Sequence, residues 1–479
     1  MTRRWLSRYS LKYFKSIVYM LQASEYNLRE YFAWLKRITD FRFVMKRKKL
    51  VMTSKAKLLL LSLWTMALLV AVLEILFIIQ FVSTVNWLWF LVTASLIIIT
   101  PILLAYLVII PLWLGQMLIQ WPKEYFIIKK AKDKVAKLRA FKIAIAGSYG
   151  KTTFKENLKV ILNQSKKVAA TIGNQNTPIG ISCFIEKLSG KEEILIFELG
   201  EYYPGDITKL CEIVKPGIGV ITGINEAHLE KFKTLKRSVN TIFELADYVK
   251  SENLYINAEN DLAKSKADPQ NHLYSKNGVN GWLVKDVKIS VKSTKFTAFN
   301  KEKEIKVNTK LLGAHQIGPL VACIAISDKL GLSAEKIEKG ISEITSFEHR
   351  MEPEYRRDGS IWIDDTYNGN PDGVKATIEF LRMIKNHRII YVTPGLVEMG
   401  NRNEQVHNQI GKQLAGVADK VILIRNSVTS WIKKGLNDNG FKGEIIWYDD
   451  AITCYNSLPS LVKSGDIVVL QNDWPDNYV

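Results

Sequence analysis

From Leu58 to Phe81 the chain reads LLLLSLWTMALLVAVLEILFIIQF, an apolar run long enough to cross a hydrocarbon core as a helix. After the uncharged break Ser83-Thr84-Val85-Asn86, a second run extends from Trp87 to about Leu118. It contains Pro101 and Pro111, which predict a kink, or a spanning helix that ends and continues along the interface. Trp87, Trp89, Trp113 and Trp121 sit near the ends of the runs, where amphipathic rings prefer the headgroup layer. Glu74 is the only charged residue between positions 58 and 121. An acid at such depth is a functional candidate by default. Its place toward the far end of the first run favours a structural role instead, satisfied by a partner or by the interface.

The distribution of charge points the same way. The formal charge of +19 suggests a nucleic-acid binder until it is mapped along the chain. Residues 1–57 hold 15 Lys/Arg against 3 Asp/Glu, residues 122–142 hold 8 against 2, and residues 143–479 net only +2. The cations flank the apolar block, so a membrane is the partner and nucleic acid is not. By the positive-inside rule both flanks lie in the cytoplasm, joined by a two-span hairpin, which places the chain in the cell membrane with its soluble domains facing the cytoplasm. The first run begins more than fifty residues in and no small-residue cleavage site follows it, unlike a signal peptide.

Residues 10–45 place Leu11, Phe14, Ile17, Val18, Leu21, Tyr31, Phe32, Trp34 and Leu35 at helical spacings among basic positions. With Lys46–Lys49 beyond them, such helices could lie on an anionic leaflet or pack on the soluble domain. Cys183, Cys211, Cys323 and Cys454 are scattered without a CxxC pair, which fits a reducing compartment and gives no disulfide framework or zinc site.

Residues 141–146 (FKIAIA) read as a buried parallel strand. Gly147-Ser148-Tyr149-Gly150-Lys151-Thr152-Thr153 follows, then a helix-like stretch through Leu162. Strand, glycine loop, Lys-Thr and helix is the order that cradles phosphates. Backbone N–H groups and the helix N-terminus face the anion, Lys adds charge, and Thr can ligate Mg²⁺. This loop is shorter than the GxxxxGK[ST] pattern. Downstream, Ile194–Phe197 leads into Glu198, and Ile218–Ile221 leads toward Asn225-Glu226-Ala227-His228. Ligand-type residues thus fall at successive strand ends, where α/β sheets bind their ligands and where a divalent ion could sit beside ATP.

At this point the chain resembles the Mur ligase family, most closely its D-alanyl-D-alanine-adding branch, over residues 141–479. The resemblance rests on GSYGKTT, on GNQNTPIGIS at 173–182, and on ELGEYYPGDITKLCEIVKPGIGVITGINEAHLE at 198–230. It continues with NAEND at Asn257, GAHQIGP at His315-Gln316, IDDTYNGNPDGVKATIEFL at 363–381 and GLVEMG at 395–400.

The resemblance implies an ATP-dependent ligase that phosphorylates a substrate carboxylate and passes the acyl phosphate to an incoming amine. Its substrates would be a soluble or lipid-linked peptide precursor and an amino acid or dipeptide. Gly147, Ser148, Tyr149, Gly150, Lys151, Thr152 and Thr153 would hold the phosphates, with Lys151 on the β- and γ-groups. Thr152 and Glu198 would bind Mg²⁺, and His228 would support a second metal or the acyl phosphate. Asn257, His315 and Gln316 would lie on the nucleotide side. Arg350 and Asp365, with Tyr367, Asn368 and Asn370 of the same motif, would close over phosphates and ribose, excluding water from a hydrolysable intermediate. Asp365, Asn368 and Asn370 could equally form a turn with Pro371. His272, His349 and His387 match nothing and read as surface residues.

The sequence departs from the family in three places. Ile242 stands where the family carries a carbamylated lysine, with Lys236 and Lys250 as neighbours. Basic helices and the apolar block stand in place of the UDP-sugar domain. The chain ends QNDWPDNYV rather than in a Lys-Gly-Ser-Arg type of tail. These departures keep open a sister ligase for another envelope precursor, and an ATP-binding scaffold without turnover. The expected architecture is α/β, with a Mur ligase-like central P-loop ATPase domain and a Rossmann-like C-terminal domain after a helical hairpin. The expected divisions are 1–57, 58–121, 122–346 and 347–479, with an antiparallel hairpin within 285–310.

Overall fold

The computed structural model describes the chain except Met1, Glu25, Thr39, 46–48, Asn174, 226–233, Asn280, Asn368, Lys385, Val397, Glu398, Gly400, Asn401 and 473–479. Two compact units emerge, Met1–Phe126 and Ile127–Val479.

In the first unit, α1 (Tyr13–Ala23) and α2 (Leu28–Arg37) precede the long helices α3 (Ser54–Thr84) and α4 (Trp87–Leu107). Thr53 caps α3 by accepting from the Ala56 N–H at 3.2 Å. Val85 turns the chain in the left-handed region, and Asn86 caps α4 through the Leu88 N–H at 2.9 Å. Both helices are long and apolar enough to cross a membrane, the second in continuity with the residues up to Lys137.

Pro101 stays inside α4, and the helix breaks instead at Val108, three residues ahead of Pro111. A proline leaves the carbonyl four residues earlier without its donor. The Tyr9 hydroxyl donates to that carbonyl, Ile97 O, at 3.1 Å. Glu74 is met across the hairpin by the Thr100 hydroxyl at 3.3 Å, the partner that its depth requires.

The N-terminal helices pack on the hairpin itself. Ile17, Leu21 and Leu35 share a core with Leu59, Leu63, Leu104 and Leu112. The buried hydroxyls of Tyr13 and Tyr31 donate to Pro101 O at 2.7 Å and Ala105 O at 2.6 Å. Tyrosine hydroxyls need such an outlet when buried, and carbonyls of α4 supply it.

The second unit holds two parallel-rich sheets. The first runs β2-β3-β1-β4-β5-β6, all parallel: β1 (Phe141–Ala146), β2 (Val168–Ala170), β3 (Ile194–Glu198), β4 (Ile218–Ile221), β5 (Leu254–Asn257) and β6 (His272–Tyr274). Both faces are buried: Ile143 and Ile145 of β1 enter one core while Ala144 and Ala146 enter the other. The segment read as an antiparallel hairpin is part of a larger four-stranded antiparallel sheet, ordered β10-β9-β8-β7. Its strands are β7 (Gly278–Val279), β8 (Trp282–Ile289), β9 (Thr294–Phe299) and β10 (Glu304–Thr309).

The second parallel-rich sheet runs β11-β12-β16-β13-β14-β15, with only β11 (Glu352–Tyr355) antiparallel. Its remaining strands are β12 (Ile361–Asp365), β13 (Ile389–Thr393), β14 (Lys420–Ile424), β15 (Glu444–Tyr448) and β16 (Ile467–Gln471).

Candidate active site

Strand β1 lies between β3 and β4, so strand order reverses at its C-terminal end, where such sheets place ligands. The loop there is built around close backbone approach. Gly147 has φ 139°, and a Cβ on it would collide with the Thr222 hydroxyl. Gly150 sits at φ 79° in the left-handed region, immediately before the helix Lys151–Leu162. That helix has no side-chain cap and no acid in its first turn, so its leading N–H groups face an open anion position.

Thr222, just past β4, donates to Tyr149 O and secures the loop from the neighbouring strand end. The Ser148 N–H donates to Gly223 O at 2.6 Å, while the Ser148 hydroxyl is buried without a partner among the described residues. An orphaned donor in a glycine cradle fits a phosphate oxygen. The Tyr149 ring packs against Gly223, where any Cβ would meet it, and its hydroxyl accepts from Asn260 Nδ2 at 3.2 Å. Burial raises the Tyr149 phenol above its ordinary range, and the nearby Asp372 carboxylate raises it further, so the phenol stays neutral.

The cations and acids interlock. Lys151 Nζ donates to Gly147 O and to Glu201 Oε1 and Oε2, the latter two at 3.2 and 3.0 Å. Thr152 Oγ1 donates to Glu198 Oε2 at 2.9 Å, and Lys155 Nζ reaches the same oxygen at 3.1 Å. Glu198 is oriented further by its own N–H, which donates to Thr171 Oγ1 at 3.0 Å. Glu201 is 3% exposed, and burial raises its carboxyl above the usual range against the lowering pull of Lys151.

Thr152 and Glu198 thus stand together where the sequence places a Mg²⁺ site. Among the described residues no three His, Cys, Asp or Glu groups converge on a metal position. Two protein oxygens are an ordinary share for Mg²⁺, which keeps waters and phosphate oxygens in its shell. His228 and Asn368 lie outside the described residues.

Ile242 is fully buried in the apolar core around Leu210 and Phe243. Lys236 and Lys250 are exposed.

Of the residues expected on the nucleotide side, Asn257 Oδ1 accepts from the Glu259 N–H at 3.0 Å at the end of β5. His315 and Gln316 face one another at 2.9 Å, and burial pushes His315 down to about 4, leaving its ring neutral. From the C-terminal sheet, Arg350 lies over the Tyr367 ring at 4.7 Å. It is flanked by His349 and Met351, both in the left-handed region at φ 60° and 46°. Non-glycine residues held there store about 1–3 kcal/mol each, at the segment that carries the chain between the two sheets.

Asp365 is engaged on both carboxylate oxygens. Oδ1 accepts from the Met351 N–H at 3.3 Å, and Oδ2 accepts from Thr377 and Gln471, each at 2.9 Å. Asn370 accepts from the Asp372 and Gly373 N–H groups at 3.1 and 3.0 Å, capping the helix Pro371–Met383. His349, read as a surface residue, is exposed and bonds Asp364 through Nδ1 at 2.7 Å, which raises its pKa.

Sequence reasoning passed over Glu201, Lys155, Thr222 and Asn260. Lys155 had a signal, since it stands four residues after Lys151 on the same helix face. Glu201 had none beyond its spacing of three from Glu198.

Comparison with known proteins agrees with this construction. Residues 145–327 match the Mur ligase middle domain and residues 349–471 match the Mur ligase glutamate ligase domain. UDP-N-acetylmuramoyl-tripeptide–D-alanyl-D-alanine ligase of Buchnera aphidicola subsp. Acyrthosiphon pisum is 28% identical, over 65% of this chain and 69% of that protein. The Bacillus subtilis ligase of the same name is 25% identical, over 71% of this chain and 75% of its own length. Among solved structures, MurF ligase from Thermotoga maritima in complex with ADP superposes with a TM-score of 0.65 at 25% identity, covering 73% of this chain and 80% of that one.

Proposed function

The chain belongs to the Mur ligase family, and from that premise we propose that it is a membrane-anchored, ATP-dependent ligase adding D-alanyl-D-alanine to a muramoyl peptide. The observation that carries this reading is the joint placement of Lys151, Thr152 and Glu198 on one phosphate-binding loop and strand end.

The chemistry needs a phosphoryl group moved from ATP to a carboxylate, then an amine brought to the acyl phosphate. Positioning and charge neutralisation do most of this work. Lys151 exchanges Glu201 for the β- and γ-phosphates, while the helix N-terminus and the Ser148 hydroxyl take the remaining oxygens. Thr152 and Glu198 would hold Mg²⁺, which when bound offsets charge on the transferring group. Lys155 keeps Glu198 aimed. By the family resemblance, His228 would support a second metal or the acyl phosphate.

Arg350, held over Tyr367, is the cation the C-terminal sheet brings to the phosphates. Asp365 serves this closure by fixing the Met351 backbone next to Arg350, its oxygens being taken. Asn257, His315 and Gln316 line the nucleoside side, where a neutral His315 accepts or donates one hydrogen bond without adding charge. Helices α3 and α4 cross the membrane, with their basic flanks and the second unit in the cytoplasm.

A second reading, a lipid-linked peptide precursor, is favoured by the helical unit that precedes the middle domain. Presenting soluble UDP-linked and lipid-linked muramoyl peptides separately, each with Mg-ATP and D-alanyl-D-alanine, tests both. An amide product from the soluble acceptor supports the first reading, and product from the lipid-linked acceptor alone supports the second. No product from either sinks the ligase assignment.

A further inference from the structure

At the foot of the hairpin, a small cavity of about 50 Å³ is lined by Arg4, Arg8, Lys36, Tyr13, Ile102 and Tyr106, among others. By the same measure one water needs only ~10–15 Å³. Three of these residues are cationic. Arg4 spends one nitrogen on Leu35 O at 3.0 Å, and Arg8 rests over the rings of Trp5 and Phe41. The Nε atoms of both arginines are buried and without a hydrogen-bond partner. Neither guanidinium meets a carboxylate among the described residues. Buried cationic donors left unsatisfied cost free energy, and an anion is what relieves that cost.

The cavity's depth narrows the choice of anion. Ile102 and Tyr106 belong to α4, within two turns of its break at Val108, with Trp113 and Trp121 beyond. With the hairpin spanning a membrane, that is the level at which headgroups meet acyl chains. Alongside, Ile98, Leu103 and Ile110 expose apolar surface. A guanidinium pair matches the paired oxygens of a phosphate ester, and the adjoining apolar helix matches its chains.

We propose that Arg4, Arg8 and Lys36 form a binding site for the phosphate headgroup of a membrane lipid, seated between α2 and α4. The site rests on the membrane placement of the hairpin but is independent of the ligase reaction. It makes the N-terminal helices a lipid-gripping collar around the hairpin.

The test uses the full chain in detergent, with phosphatidylglycerol, diacylglycerol and inorganic phosphate as separate probes, and bound molecules counted by native mass spectrometry. The unmodified chain should retain phosphatidylglycerol and release diacylglycerol. Arg4→Gln/Arg8→Gln should lower that retention roughly tenfold or more, as the loss of two charge-assisted bonds implies. Arg4→Lys/Arg8→Lys should restore part of it. Arg29→Gln/Arg37→Gln removes the same charge from exposed positions and should change little.

Equal loss in both Gln pairs would reduce the effect to diffuse attraction and overturn the site. Equal retention of diacylglycerol, or inorganic phosphate binding as tightly as the lipid, would overturn it on the unmodified chain, whether or not a variant folds. Alkaline carbonate extraction separates the two levels. A chain washed from membranes contradicts the hairpin's placement, whereas an embedded chain without bound lipid contradicts only this site.

Discussion

Lys151 and Glu201 form a nearly buried ion pair inside the phosphate loop, with the ammonium held between both carboxylate oxygens and the Gly147 carbonyl. A phosphate entering the loop therefore competes with a carboxylate for the same cation. Glu201→Gln should relieve both that competition and the repulsion between acid and phosphate. A charge-assisted bond is worth about 1.5–3 kcal/mol, so affinity for ADP should rise roughly tenfold or more. Calorimetric titration of the two proteins measures this, and equal or weaker binding by the variant would refute the competition.

Lys151→Ala removes the cation from the loop while leaving the hairpin untouched. ATP turnover should fall below detection, and the protein should still sediment with membranes. Phosphate release at the original rate would mean that the phosphates bind elsewhere.

Lys155 is 0% exposed and lies 3.1 Å from Glu198, itself 5% exposed. Breaking a buried pair by removing one partner typically costs about 3–5 kcal/mol, because the other charge is left uncompensated. Lys155→Met should lower the unfolding midpoint of the full chain markedly, and Lys155→Met/Glu198→Gln should recover much of the loss. A double variant no more stable than the single one would show that the charges are not coupled.

His315 supplies a pH dependence. Burial lowers its folded pKa to about 4 from an ordinary value of 6.5, so the unfolded chain binds the proton more readily. Its contribution to stability is complete above the ordinary value and is lost as pH falls toward 4. Unfolding midpoints of the wild type should decline more steeply across that window than those of His315→Gln. Parallel slopes would place the ring in solvent.

Periodicity and glycine placement made much of this architecture readable. The apolar runs at 58–81 and 87–118 announced the hairpin, and FKIAIA followed by GSYGKTT announced β1 and its loop. The fate of the N-terminal helices was not readable, because an amphipathic face says that something covers it and not what. Here the cover is the hairpin, joined through tyrosine hydroxyls to carbonyls around Pro101, a pairing that spans nearly ninety residues of sequence. Glu201 was missed for a similar reason. Its burial against Lys151 comes from tertiary closure of two strand ends, and one sequence carries no local mark of that. Asp365 and Asn370 carried the strongest motif, and their side chains hold the Met351 backbone and a helix start. A motif records what a segment needs, not which atoms remain free for a ligand.

The central claim is tested most directly by incubating the detergent-purified full chain with Mg-ATP, a muramoyl tripeptide acceptor and D-alanyl-D-alanine, and following phosphate release and product mass together. Release that requires both acceptor and dipeptide, with a product heavier than the acceptor by the dipeptide less one water, is the predicted result. Tight ATP binding without release across soluble and lipid-linked acceptors would contradict it and leave a nucleotide-binding scaffold in its place.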